Sequence, residues 1–396
     1  MAKTRNDFFP DLLFNRIEVA GSLGDLGTLL PLSIGMILIN KLSATNVFCT
    51  IGLFYILAGL YFRVPVPVQP MKVIGAYAIS VGLTQQQIIA SNLWMGFVLL
   101  FLGLSGLIQI IGKYIPKSTI RGVQLTVGIV LMTKGFKLMV GHDPNLSVQS
   151  IGPIPIGILL GIVGIILTFL LLDNRRLPAA LVVIGTGMIV GLFIGKPSGL
   201  AYTDIKLHIP DFMPYGWPSW TDFLWVFPVL VLPQTPMTIG NAIIANTDMM
   251  HEYFGTKAYR ATYRRITLSQ GFAEIFSFLL GGIPICHGAG GLAAHYRFGA
   301  RTAGSNVIIG GIFLLLVLFL GENILSALKL LPFSILGVLL LFAGLQLATM
   351  ISDLKEKEDF FVALLMVGLA LTFNLGIAFI AGILTALMLR SERFSV

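Results

Sequence analysis

The side chains able to do chemistry in this chain sit inside apolar stretches, and two short segments hold most of them. The first is Val64-Pro-Val-Pro-Val-Gln-Pro-Met-Lys72. It cannot begin as a helix, because Pro65, Pro67 and Pro70 each push the preceding residue into an extended conformation. From Met71 to Ile79 the sequence suits a helix with Pro70 near its first turn. The second, Gly281-Gly-Ile-Pro-Ile-Cys-His-Gly-Ala-Gly-Gly291, is glycine-rich and turns helical through Leu292-Ala-Ala-His-Tyr296. Each reads as a short strand leading into a half-helix. A helix N-terminus offers free N–H groups and roughly half a positive charge, which together suit an anion. Lys72 adds a full positive charge to one of the two, so an anion is the expected ligand.

The candidate anion ligands are Gln69, Pro70, Met71 and Lys72 on the first segment and Cys286, His287, Gly288, Ala289, Gly290 and Gly291 on the second. Glycines at 288, 290 and 291 let backbone approach a ligand closely; in isolation, such a glycine motif also packs helices together. Thr28, Gln234, Thr235 and Thr238 add neutral donors from neighbouring spans expected to be broken. Asp25 and Glu274 are acids inside apolar stretches and so candidates for proton coupling. Asp25 equally suits a static pair with Lys72, and Glu274 a structural hydrogen bond. For His287 three roles stand side by side: anion ligand, proton carrier or helix cap. Cys286, His287 and His295 match no zinc spacing, so no metal or other cofactor is expected. Isolated interior acids without a catalytic partner argue against an intramembrane enzyme.

The elements that position these residues follow from composition. Of 396 residues, 56% are hydrophobic and 11% charged, far fewer charges than the roughly 25% of a soluble domain. Apolar runs long enough to cross a bilayer fall near 18–39, 46–62, 64–82, 88–112, 119–139, 156–172, 179–195, 222–245, 266–282, 283–300, 304–328, 332–351, 359–374 and 375–390. That predicts an all-α polytopic membrane protein of 14 spans. With a cytoplasmic N-terminus, 19 of the 26 Lys and Arg fall on the cytoplasmic side and six outside, a strong positive-inside bias that puts both termini in the cytoplasm. The net charge of +8 then reflects loops facing lipid headgroups, with no nucleic-acid partner. The N-terminus lacks the pattern of a cleaved signal, and the two cysteines cannot form a disulfide framework.

An internal repeat runs through the chain. Pro31-Leu-Ser-Ile-Gly35 returns as Pro236-Met-Thr-Ile-Gly240, Pro67-Val-Gln-Pro70 as Pro284-Ile-Cys-His287, and Ile115-Pro116-Lys-Ser118 as Leu331-Pro332-Phe-Ser334. The offsets are 205, 217 and 216, and a basic loop after Asn246 is expected to hold the inserted residues. Seven spans per half is an odd number, so the halves are inverted, with half-helices in spans 3 and 10. That is the plan of many secondary transporters.

Pro65 to Lys72 and Pro284 to Arg301, with Gly24-Asp-Leu-Gly-Thr-Leu-Leu-Pro31 and Pro233-Gln-Thr-Pro236, resemble the signature segments of the molybdate transporter family, which is related to the sulfate permeases. The likeness covers nearly the whole chain. It implies a 7+7 inverted fold in which a core (18–115 and 222–330) moves against a gate (116–200 and 331–390), often as a homodimer. An N-terminal segment (1–17), an outer loop (201–221) and a tail (391–396) complete the division. It further implies molybdate import, with the anion where spans 3 and 10 meet. Sulfate or another anion is the alternative substrate, because both are tetrahedral dianions. A nucleobase fits less well, given Lys72. A plasma or inner membrane is the expected residence, and no C-terminal regulatory domain is expected.

Overall fold

The computed structural model describes residues 12–108, 116–172, 174, 177–196, 207–321 and 323–389. Lys3, Arg5, Lys113, Arg175, Arg176, Lys206, Arg390 and Arg393, all used in the charge count, lie outside the described residues, as does the tail.

The first apolar stretch is a bent pair, α1 (Arg16–Ser22) and α2 (Leu26–Leu38), turned by 43°. Asn15 caps α1 by accepting from the N–H groups of Ile17 and Glu18. Then follow α3 (Ala44–Phe62), strand β1 (Gln69–Pro70), α4 (Lys72–Val81), α5 (Gln85–Ser105) and α6 (Lys117–Val140). A small hairpin, β2 (Ser150–Ile151) and β3 (Ile154–Pro155), leads into α7 (Ile156–Leu171) and α8 (Ala179–Ile194). The next helix, α9, runs over 220–254 and ends at Gly255, whose φ of 53° leads into a 3-10 turn over Gly255–Ala258. After it come α10 (Tyr263–Leu279), β4 (Ile285–Cys286), α11 (Ala289–Arg297), α12 (Gly304–Leu320), α13 (Asn323–Leu328), α14 (Phe333–Ala348), α15 (Lys357–Thr372) and α16 (Leu375–Leu389).

The described residues are mostly helical, and among them five helices, or six counting the bent pair, are long and apolar enough to cross a membrane. Three boundaries differ from the sequence reading. The stretch expected to break around Pro233 and Pro236 stays helical: Phe227–Val231 and Thr238–Ala245 widen into π-helix, which accommodates prolines that lack an N–H and crowd the carbonyl four residues back. The expected loop after Asn246 is instead helix as far as Phe254, because Asn246, Thr247, Met250 and Phe254 bury one face of it. The run 304–328 divides at Gly321, whose φ of 48° ends α12.

Long helices pack in exchanged pairs, α3 against α12 and α5 against α10, while α6 packs along α14. Small residues permit the closeness. A methyl at Gly337 would lie 2.5 Å from the carbonyl oxygen of Gly135, and one at Gly344 2.6 Å from that of Gly128. The loop after α6 fastens this pair, since Asp143 Oδ2 accepts from Phe333 N at 2.6 Å and so caps α14.

Candidate functional site

In the middle of the chain β1 and β4 pair antiparallel, Gln69 with Cys286 and Pro70 with Ile285. Met71 N donates to Pro284 O at 2.8 Å and lengthens the ladder. With only two residues each, the strands satisfy few of their own backbone groups, and side chains supply the rest. Asn306 of α12 accepts from Val66 N (2.9 Å) and donates to Val66 O (2.7 Å) and Tyr55 O (3.0 Å). Asn92 of α5 does the corresponding work before β4, donating to Gly282 O (3.2 Å) and Ser277 Oγ (3.0 Å). Sequence reasoning missed both asparagines. A signal was present: Ser91-Asn92 returns as Ser305-Asn306.

From this pair of strands, α4 and α11 start with Lys72 and Ala289 as their first residues. Their termini are not equivalent. Gln234 of α9 aims its side-chain oxygen at α4 and accepts from Val73 N (3.0 Å) and Ile74 N (3.3 Å), while its amide donates to Thr238 Oγ1 at 2.9 Å. Gln234 and Thr238 thus cap α4. Among the described residues no side chain accepts from the start of α11; Gly291 N donates to Gly288 O at 3.0 Å, and the N–H groups of Ala289 and Gly290 have no acceptor within their own helix.

Asp25, Gln69 and the three glycines meet at that uncapped end. Gln69 Nε2 donates to Gly288 O at 3.0 Å. A methyl at Gly291 would fall 2.5 Å from Asp25 Oδ2 and 2.7 Å from Gln69 Nε2, and one at Gly288 2.5 Å from Gln69 Nε2 and 3.2 Å from Asn241 Nδ2. A side chain at 288 or 291 would have to push these side-chain ends aside. Asp25 is buried and neither of its carboxylate oxygens has a hydrogen-bond partner; Gln69 Oε1 has none either. Lys72, Thr28 and Tyr55 are the groups whose charge or dipole acts on Asp25, but no ion pair joins Asp25 to Lys72 among the described residues. Asn241, a polar residue in an apolar stretch of α9, was also missed.

Other candidates lie in the same region but turn elsewhere. His287 engages both ring nitrogens, Nδ1 with Pro67 O (2.8 Å) and Nε2 with Ser269 Oγ (3.1 Å). Thr235 donates to Val231 O of its own helix at 2.7 Å. Cys286 and Pro70 are buried strand residues, Met71 is buried between β1 and α4, and Ala289 is the buried first residue of α11. Glu274 Oε1 accepts from Ile285 N at 2.6 Å, a structural bond that holds β4, while its Oε2 has no partner. His295, buried on α11, meets Gly21 O at 2.8 Å and Tyr55 OH at 3.4 Å.

Although most surroundings are buried, Gly27 and Gly290 are exposed, and Thr28, Lys72, Gly240 and Asn241 are partly so. Ile244, Ala245 and Asp248 continue the accessible stripe along α9. Beyond the end of that helix Arg260 and Arg264 bond Tyr61 O and Gly103 O.

A family model described as a molybdate transporter of the MFS superfamily matches residues 17–131 and 227–347. Molybdate transporter 2 of Arabidopsis thaliana is 32% identical over 94% of this chain and 87% of its own length. Molybdate transporter 1 of Chlamydomonas reinhardtii is 28% identical over 92% and 90%. Among solved structures, the transmembrane domain of a cyanobacterial bicarbonate transporter, BicA, superposes with a TM-score of 0.67 at 15% identity, covering 95% of this chain and 99% of that one. The SLC26A9 structure gives 0.66 at 14% identity, covering 94% and 65%. These two likenesses speak for the fold.

Proposed function

The chain belongs to the molybdate transporter family and is a membrane transport protein rather than an enzyme, and on that premise we propose that it imports molybdate by alternating access, with the anion held between the N-termini of α4 and α11. The observation that carries this reading is the placing of Lys72, in the first turn of α4, across from Gly290 at the open N-terminus of α11. An ammonium, unbonded backbone N–H groups and a positive helix end then converge on one accessible space. Gln234 holds the α4 terminus in place, so α11 supplies the free backbone donors and Lys72 the charge.

The inverted 7+7 plan of 14 spans gains support from the strand register. The repeat offset of 217 maps Gln69 onto Cys286, and Gln69 pairs with Cys286, as an in-plane twofold axis through the strands requires. The exchanged pairs α3–α12 and α5–α10 fit the same axis. They give the core, and α6, α7, α8, α14, α15 and α16 the gate. Homodimer assembly through this gate, and residence in a plasma or inner membrane with cytoplasmic termini, complete the proposal.

Asp25 gives the coupling a physical basis. Its carboxylate lies beside Gly291, and a dianion arriving at the same helix end would meet its negative charge at close range. A proton on Asp25 removes that repulsion, so proton and anion travel together. Glu274 and His287, already engaged in hydrogen bonds, act in this scheme as struts. Uptake of labelled molybdate into proteoliposomes, with sulfate as competitor, tests the proposal. Accumulation that Lys72→Ala abolishes is expected. If neither anion is taken up or bound, the reading fails; preferential uptake of sulfate would leave the site and replace the substrate.

A further inference from the structure

We infer that Gly290 sets the size of the anion this transporter accepts, the missing side chain at this position providing room for the larger tetrahedral oxyanion. The inference rests on the site proposed above and adds a determinant of selectivity to it. The three glycines of the segment differ in what a side chain would meet. Methyl groups at 288 and 291 would displace the ends of the Gln69 and Asp25 side chains, so glycine there serves packing. A methyl at 290 meets one atom within 4 Å, Lys72 Nζ at 3.8 Å. Gly290 is also exposed although its neighbours Ala289 and Gly291 are buried. Its Cβ direction therefore points into open space shared with the Lys72 ammonium, rather than into protein.

That space is built for a ligand, as a second observation shows. Asp25 is 1% exposed and keeps both carboxylate oxygens free of hydrogen bonds within reach of the same turn. Buried polar groups are nearly always paired, so a proton or a ligand completes this one in the working cycle. An anion lying against Gly290 N–H and Lys72 Nζ takes up the volume a residue 290 side chain would enter. Adding one methyl there leaves the backbone donors and the ammonium untouched and shortens the space between them.

Molybdate is larger than sulfate and carries the same charge, so a narrower site penalises molybdate first. One methyl group in a closed site shifts selectivity by ~10-fold or more. The test measures equilibrium binding of labelled molybdate and labelled sulfate to the purified full-length protein, for wild type, Gly290→Ala, Lys72→Arg and Lys72→Ala. For Gly290→Ala the ratio of molybdate to sulfate affinity is expected to fall by about tenfold, with thermal unfolding unchanged. Lys72→Arg, whose larger head enters the same space from the opposite side, moves the ratio in the same direction, and it decides the question if Gly290→Ala fails to fold. A folded Gly290→Ala with an unaltered ratio, alongside Lys72→Ala that binds neither anion, overturns the size role and leaves the site standing. If Lys72→Ala binds both anions like wild type, the site itself is misplaced and the role of Gly290 falls with it.

Discussion

At the scale of single residues, Gln234 separates two effects that usually move together. Its side-chain oxygen accepts from Val73 N and Ile74 N, so Gln234→Ala removes a cap and is expected to lower stability by about 1 kcal/mol, read as a fall in unfolding temperature in detergent. Gln234→Glu keeps the acceptor and places a negative charge at a positive helix end, which favours the helix. The same charge repels a bound dianion, so molybdate affinity drops while the unfolding temperature holds. Equal losses in both would show that the affinity falls through a weakened cap and not through the added charge. Asp25→Asn removes the titrating group while keeping its shape; uptake is expected to lose its response to an imposed pH gradient. A response retained at wild-type size would assign coupling elsewhere. Much of this cluster was legible in the sequence, since proline fixes where the half-helices start and Lys72 follows directly. What was not legible is direction. Nothing in His-Gly-Ala-Gly shows that His287 turns back to Pro67 O and Ser269, because that depends on partners 18 and 220 positions away.

At the scale of elements, short strands depend on asparagines from the opposite half. Asn306→Ala removes three hydrogen bonds around Val66 and Tyr55 and leaves buried backbone groups unpaired, a loss of roughly 1–3 kcal/mol. Because the segment carries β1 and the start of α4, binding should weaken too, and calorimetry with molybdate reads both. In the loop after α6, burial holds the Asp143 carboxyl above the usual carboxylate range, outweighing the N–H bonds from Asn145 and Phe333. A folded-state value raised in this way contributes stability below the ordinary carboxylate range and loses it as pH rises through the raised value. The unfolding temperature of wild type relative to Asp143→Asn is therefore expected to decline from pH 4 towards neutrality; a difference independent of pH would contradict it. Helix starts at prolines and the strand positions were readable in advance. The continuity of α9 was not, because a proline rule written for α-helix does not anticipate π-helical accommodation at Phe227–Val231 and Thr238–Ala245.

At the scale of the whole molecule, apolar periodicity and charge bias announced a polytopic membrane protein, and comparison with known transporters places it in that class. Asn241, Ile244 and Ala245 are partly exposed and Asp248 is exposed along α9, and under the proposed orientation this stripe is expected to be reached from the cytoplasm. Both native cysteines are buried, which makes a cysteine at 245 a clean reporter. Ala245→Cys is expected to react with an impermeant thiol reagent from the cytoplasmic side, and more slowly once molybdate is bound; labelling from the outside alone would reverse the orientation. The central claim, an anion between α4 and α11, is tested most directly by locating molybdenum. Anomalous diffraction at the molybdenum edge, from crystals grown with molybdate, should show one peak in contact with both Lys72 Nζ and the Gly290 backbone. A peak lying elsewhere in the protein, with that space empty, would contradict it.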